Sequence, residues 1–255
     1  MNGAACAKTA AASPFLLVNP SDPQSFDRFA EQYDAAAALE RRHDFFLQNL
    51  PERRDVALDV GCGTGLLAHA LSAHFRFVVA VDISEPMLAL ARRNRTATNI
   101  DYRRADARDL RLDARFDAIV SHTTLHHLAD PSRALTALKS SLRPGGRLLL
   151  VDCVTRFPAA IPRLTIFYWA FASLRFCRDL IRRNTREALV LFRFNLSRRW
   201  IAHLQSDRYL SRAELRALCA RELPGAQCVD FANFVGIVWT APAAGAALHP
   251  APAHG

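Results

Sequence analysis

The stretch Leu58-Asp-Val-Gly-Cys-Gly-Thr-Gly65 sets three glycines at alternate positions, directly behind the apolar run Val56–Val60. The run reads as a buried strand. The glycines let the backbone turn sharply and lie flat against a ligand, where any Cβ would collide. A helix starts inside the loop, over about 64–74, so its free amides are expected to point into a site. Dinucleotide-binding loops use a similar device with G-x-G-x-x-G spacing, whereas this one is G-x-G-x-G.

Working outward, element types alternate strictly. Phe77–Val81 reads as a second strand, and Ser84 caps a helix that runs to about Arg95, with Glu85 and Pro86 in its first turn. Ile100–Arg104, Phe116–Ser121 and Arg147–Val151 read as further strands, with a helix over 131–142 and a turn at Pro144-Gly-Gly146. Continuous apolar strands separated by helices predict a doubly wound parallel α/β sheet covered on both faces. Before it, Phe26, Phe29, Tyr33, Leu39, Phe46 and Leu50 mark one helical pattern over roughly 26–49. After it, Ser211 and Glu214 form a capping box for a helix to about Arg221, and 227–231 with 234–240 make a terminal hairpin closed near Ala232-Asn233. The expected organisation is a flexible tail over 1–22, a single domain over 23–240 with a helical insert at about 156–206, and a disordered tail over 241–255.

Three carboxylates end consecutive strands. Asp59 stands just before the glycine loop, where it would repel a pyrophosphate and attract a ligand carrying an ammonium and a sulfonium. S-adenosylmethionine is such a ligand. Asp82 lies 21 residues after Gly61, at the position that faces a ribose in doubly wound sheets. Asp106 ends the third strand, within reach of an adenine. Each alone can be a helix cap; three in order are better read as a ligand frame.

Asp59-Val-Gly-Cys-Gly-Thr-Gly65, Asp82-Ile-Ser84, Ala105-Asp106, Phe116-Asp-Ala-Ile-Val-Ser121, Leu125-His-His-Leu-Ala-Asp130 and Leu142-Arg-Pro-Gly-Gly146 together resemble a class I S-adenosylmethionine-dependent methyltransferase, of the type 11-like bacterial small-molecule group. The resemblance is strong over about 56–152. It implies a seven-stranded Rossmann-like methyltransferase sheet in the order 3-2-1-4-5-7-6 with strand 7 antiparallel. Phe26–Asp34 is similar to the family's N-terminal helix, which folds over the cofactor. By the same resemblance Gly61, Gly63 and Gly65 pack against the amino-acid end of the cofactor, Asp59 holds its ammonium, Asp82 the ribose and Asp106 the adenine. Cys62, Ile83 and Ala107 count among the cofactor-binding positions. Met87 either touches the adenine face or is an ordinary core methionine.

Methyl transfer from a sulfonium needs alignment first, and a base only where the acceptor must lose a proton. The candidates for that base are His122, His127 and His203; His126 and His127 also carry a purely structural reading. His203 and Asp207 stand at i,i+4 on a helix, as a surface contact or as a base on a lid. No His/carboxylate set has ligand-like spacing, so no metal is expected. Six cysteines without a CxxC pair and a short N-terminal apolar run, Phe15–Val18, predict a reduced, cytoplasmic protein.

The net charge of +9, from 33 basic and 24 acidic residues, concentrates between Cys153 and Arg208, where eleven arginines face three acids. Such a segment is either a solvated helix face or a surface for an anionic partner. Its aromatic residues Phe167, Tyr168, Trp169, Phe171, Phe192 and Phe194 are expected to line an apolar acceptor pocket or to pack the insert onto the domain. Its apolar core is too interrupted to span a bilayer of roughly 20 residues, which leaves peripheral contact with the membrane surface. The Ser121-His-Thr-Thr124 sequence after the fourth strand lacks the Asn/Asp-Pro-Pro-Tyr signature of base methyltransferases, which argues against a nucleic-acid substrate. The expected partner is a small-molecule acceptor, lipophilic or aromatic, methylated at oxygen, carbon or nitrogen. A cofactor-binding protein without catalysis is the alternative from another class.

Overall fold

A computed structural model describes residues 26–40, 43–110, 115–154, 165–206 and 209–243. Seven strands form one sheet: β1 Val56–Val60, β2 Phe77–Asp82, β3 Ile100–Arg104, β4 Phe116–His122, β5 Leu142–Cys153, β6 Gln227–Phe231 and β7 Phe234–Thr240. Their order is β3-β2-β1-β4-β5-β7-β6. The first five pair in parallel and β7 runs antiparallel to both β5 and β6, as expected from sequence.

The connections leave β1 in opposite directions, so a crevice opens at the carboxyl ends of β1 and β4. Register places Asp59 on β1 between Ala80 of β2 and Val120 of β4. Helices α3 (Leu66–Ser72), α4 (Glu85–Asn94), α5 (Pro131–Ser140) and α9 (Arg212–Glu222) cover the two faces. One buried layer gathers Leu58, Ile119, Leu135, Leu148 and Leu215, and the other Phe46, Ala57, Leu71, Leu88 and Leu149. Adjacent β1 residues Ala57 and Leu58 thus serve opposite cores, which is why the strand reads as an unbroken apolar run.

Two expectations are corrected. The 26–49 pattern is not one helix but a 3₁₀ turn Phe26–Arg28, helix α1 Ala30–Ala37 and helix α2 Asp44–Gln48. The chain leaves α1 where the Leu39 carbonyl accepts from Arg183 and the Glu40 carboxylate pairs with Arg175, so tertiary contacts override the local pattern. Strand β5 starts at Leu142 rather than at Arg147, passing through the Pro-Gly-Gly turn, with a register shift opposite Phe116/Ala118. Gly146 permits this, because a Cβ there would lie 3.0 Å from the Asp117 carbonyl oxygen.

After β5 come α6 (Thr165–Arg182), α7 (Thr185–Asn195) and α8 (Arg198–Ser206), where an insert was expected. Asn184 caps α7 by accepting from the Glu187 amide at 2.9 Å. The insert is tied to α1 and its neighbours by arginines: besides Arg175 and Arg183, Arg199 donates 2.5 Å to the Arg28 carbonyl. Part of the basic excess is therefore spent inside the fold. The disordered tail expected over 241–255 is corrected at its start, because Ala241 is buried and bonds to Gly145 and Gly146; residues 1–22, 244–255 and Asp207 lie outside the described residues.

Candidate active site

The glycine loop joins β1 to α3, and all three glycines take positive φ, at 71° for Gly61, 52° for Gly63 and 80° for Gly65. Their surroundings differ. A Cβ on Gly61 would meet Thr124 Oγ1 at 2.2 Å, and one on Gly65 the Tyr102 hydroxyl at 2.6 Å. On Gly63 the nearest atom would be Tyr33 Cε1 at 4.0 Å. Two glycines therefore close the fold, and Gly63 alone leaves a space that a Cβ would fill.

Four of the loop's amides are engaged within the fold. Gly61 and Cys62 both donate to the Val81 carbonyl, at 2.9 and 3.0 Å, and Gly65 to Cys62 at 2.9 Å. Gly63 donates to Asp82 Oδ2 at 2.8 Å. With these donors engaged, the loop is poorly equipped to cradle a pyrophosphate.

Carboxylates dominate instead. Asp59 is buried, and its Oδ2 has no hydrogen-bond partner among the described residues. Burial and the nearby Asp82 push its carboxyl up to about 8, because ionising it adds a second negative charge in a poorly hydrated place. Asp82 accepts the Gly63 amide on Oδ2 and the Ser84 amide on Oδ1 at 2.9 Å. Burial still raises it above the ordinary carboxylate range. An unpartnered buried carboxylate beside another calls for a cation. The ammonium of S-adenosylmethionine fits this donor set, with Gly63 giving its backbone room.

Ser84 caps α4 through the Met87 amide at 3.3 Å and donates its hydroxyl to Asp27 at 2.5 Å. The N-terminal segment is thereby fastened to the helix behind Asp82. Met87 is buried against Ala30 and Leu90, on the core side of α4. Ile83 lies between Asp82 and Ser84, and its carbonyl accepts from Arg104 at 3.2 Å. The Cys62 thiol is buried and driven well up in pKa by burial and the two aspartates. Asp106 caps the short turn that begins at Ala107, and Arg108 grips both of its oxygens at 2.9 Å. That hydrogen bonding holds Asp106 below the usual carboxylate range.

The histidines divide into two places. His122 stands at the end of β4 against Phe46, with ring centroids 5.7 Å apart. His127 and His203 come together at 5.3 Å, and the Phe26 ring lies 5.6 Å from one and 4.3 Å from the other. His203 is only 3% exposed, which overturns its reading as a surface contact. Trp200, one turn before it on α8, lies 5.3 Å from His203 and 4.7 Å from Phe194. Sequence reading missed Trp200, although its i,i+3 spacing from His203 places both on one helix face.

The aromatic residues expected to line a pocket do not act together. Phe194 joins Tyr33 and Phe29 at this junction, while Phe192 packs on Phe176 at 4.6 Å. Tyr168 donates to the Asn195 carbonyl at 2.8 Å. Trp169 and Phe171 face solvent, and the side chain of Phe167 lies outside the described residues.

Folding also assembles a set that spacing did not show. His126 Nδ1 lies 2.5 Å from Asp152 Oδ1, and Cys153 Sγ is 3.5 Å from the same nitrogen. These ligand-type atoms fall within 4.8 Å of one another. Asp152 also accepts the backbone amides of His126 and Cys153, at 3.0 and 2.7 Å, so its lone pairs are engaged by hydrogen bonds. Burial opposes the imidazolium of His126, but Asp152 and Cys153 together outweigh it and hold the ring well above its ordinary pKa. The cluster ties the turn after β4 to the end of β5.

Comparison with known proteins agrees with this geometry. The family model described as a methyltransferase domain matches residues 58–150. An uncharacterized methyltransferase of Mycobacterium tuberculosis is 41% identical over 107 residues, 42% of this chain and 54% of that protein. A ubiquinone biosynthesis O-methyltransferase of Coxiella burnetii is 38% identical over 105 residues, 40% of this chain and 45% of its own. The chain thus spans about half the length of the curated relatives it matches. Among solved structures, DhpI in complex with S-adenosylhomocysteine superposes with a TM-score of 0.56 at 21% identity, covering 88% of this chain and 96% of that one. A methyltransferase from Thermotoga maritima gives 0.53 at 22% identity, covering 86% and 99%. Residues 58–150 therefore match the methyltransferase-domain model, within a sheet of the same fold as these two solved structures.

Proposed function

We propose that the chain transfers a methyl group from S-adenosylmethionine to a small, lipophilic or aromatic acceptor at oxygen, carbon or nitrogen. The observation that carries this reading is Asp59: a buried carboxylate with one oxygen unpartnered, beside Asp82 and next to the open side of Gly63. That site asks for a cation with a flat neighbour, and the loop amides are committed elsewhere.

Bound there, the donor supplies a methyl carbon already activated by its sulfonium. Asp59 takes the ammonium, Asp82 the ribose hydroxyls, and Asp106 with Ala107 the adenine. Phe26, His127, His203 and Trp200 wall the acceptor side and exclude water. Holding acceptor and donor in line contributes up to roughly 7–11 kcal/mol of barrier lowering. His127, packed against the Phe26 and His203 rings, is the base for an acceptor with a proton to lose; His203 positions its ring. His122, on the Phe46 side, is left out of this role.

Calorimetry with S-adenosylmethionine tests the first half. Release of S-adenosylhomocysteine across phenols, enolisable carbonyl compounds and amines tests the second. Retention of NADH with the methyl donor ignored overturns the whole reading; donor binding without release for any acceptor leaves a binding protein.

A further inference from the structure

The outer face of α6 is apolar and open to solvent. Ile181 is 86% exposed, Leu174 72%, Phe171 55% and Trp169 48%. On a helix with 3.6 residues per turn Leu174 and Ile181 fall opposite Ala172 and Asp179, the buried positions of α6, and Phe171 lies beside Leu174, whereas Trp169 lies on another side. An exposed surface of this kind on one helix marks an interaction site.

Its border is basic. Arg178 is half exposed and reaches Asp179 at 3.3 Å, whereas Arg182 and Arg186 are exposed and make no ion pair among the described residues. Over 165–206 there are eight arginines and two acids, a net of +6. Both acids are held within the fold: Asp179 lies beneath Arg175, Arg178 and Arg183, and Glu187 closes the cap of α7. No helix among the described residues is long and apolar enough to cross a membrane.

We infer that α6 lies on an anionic bilayer surface, with Phe171, Leu174 and Ile181 set into the boundary between headgroups and acyl chains and Arg178, Arg182 and Arg186 against lipid phosphates. A second copy of the chain is the poorer occupant, because pairing two such faces brings their arginine borders together without acids to offset them. A bilayer supplies both the apolar layer and the opposite charge. The inference does not depend on the proposed activity, since vesicle binding requires no methyl transfer.

The test is co-sedimentation of the full chain with phosphatidylcholine vesicles, with and without phosphatidylglycerol. Binding is expected with phosphatidylglycerol, weakening as salt rises. Arg182→Ala and Arg186→Ala should each cut partition about fivefold. The pair Leu174→Asp with Ile181→Asp should abolish it while leaving the far-ultraviolet spectrum and the melting transition intact, as befits exposed positions. The proposal falls if wild type fails to bind phosphatidylglycerol vesicles, or if binding survives the double aspartate change. It also falls if a concentration-dependent dimer is found that Ile181→Asp dissolves.

Discussion

The glycine loop and the helical cap over it solve opposite problems. The loop is built from backbone and buried carboxylates: Gly61 and Gly65 leave no room for a methyl group, and Asp82 clamps two amides. The cap is built from side chains of three separate stretches, with Phe26, His127, Phe194, Trp200 and His203 leaning on one another. Backbone geometry tolerates no substitution, whereas interleaved rings can be exchanged for others of similar volume. On the proposed reading, the half that would hold the cofactor is fixed by backbone geometry, and the half that would meet the acceptor is built from exchangeable rings.

Substitutions that separate these halves sharpen the contrast. The largest loss is expected at Gly65→Ala, where a Cβ meets Tyr102 and Ala91 in a left-handed backbone. Strain and overpacking should together cost about 3 kcal/mol, seen as a lower midpoint in denaturant unfolding. Gly63→Ala should unfold much closer to wild type yet lose about 2 kcal/mol of S-adenosylmethionine affinity, roughly thirtyfold by calorimetry. If both variants lose stability equally, the division of labour among the glycines is wrong.

Asp82→Ala should weaken donor binding by about 1–3 kcal/mol, through the lost charge-assisted hydrogen bonds and the freed Gly63 amide. Unchanged affinity would remove the ribose assignment. Asp59 gives a pH signature. With its carboxyl raised to about 8, the ligand-free folded chain keeps a proton that the unfolded chain has released. Stability therefore falls as pH rises from the ordinary carboxylate range to about 8, and the full cost is present above it. Asp59→Asn should melt higher than wild type near pH 9, with the gap closing toward about pH 4. The same change should weaken donor binding and flatten its rise with pH, because a cationic ligand favours the ionised carboxylate. The smallest change in donor affinity belongs to the cap: His203→Ala should leave it within about twofold. Turnover measured on the same variant then tests whether His203 positions the His127 ring: a fall confined to acceptors that must lose a proton supports it, and unchanged turnover removes that role.

Much of the loop was legible in the residues. Strand, glycine spacing and strand-end acids are written within a few positions of one another, so local period and charge carry them. That the loop amides turn back onto Val81 and Asp82 was not legible, since both partners arrive from β2. The same distance in sequence hid the pairing of His126 with Asp152, 26 residues apart. It also hid the use of Arg175 and Arg183 as ties to α1, and the burial of His203, whose neighbours come from Phe26 and His127.

The sequence by itself determined a doubly wound parallel sheet and the place of the three aspartates, because alternating apolar strands and helices admit few arrangements; the strand order came from the family resemblance. Tertiary structure alone decided which amides were spent, which histidines met, and which face of α6 was left to solvent. Those depend on contacts between segments whose separation along the chain carries no local signal, so only the packed fold expresses them.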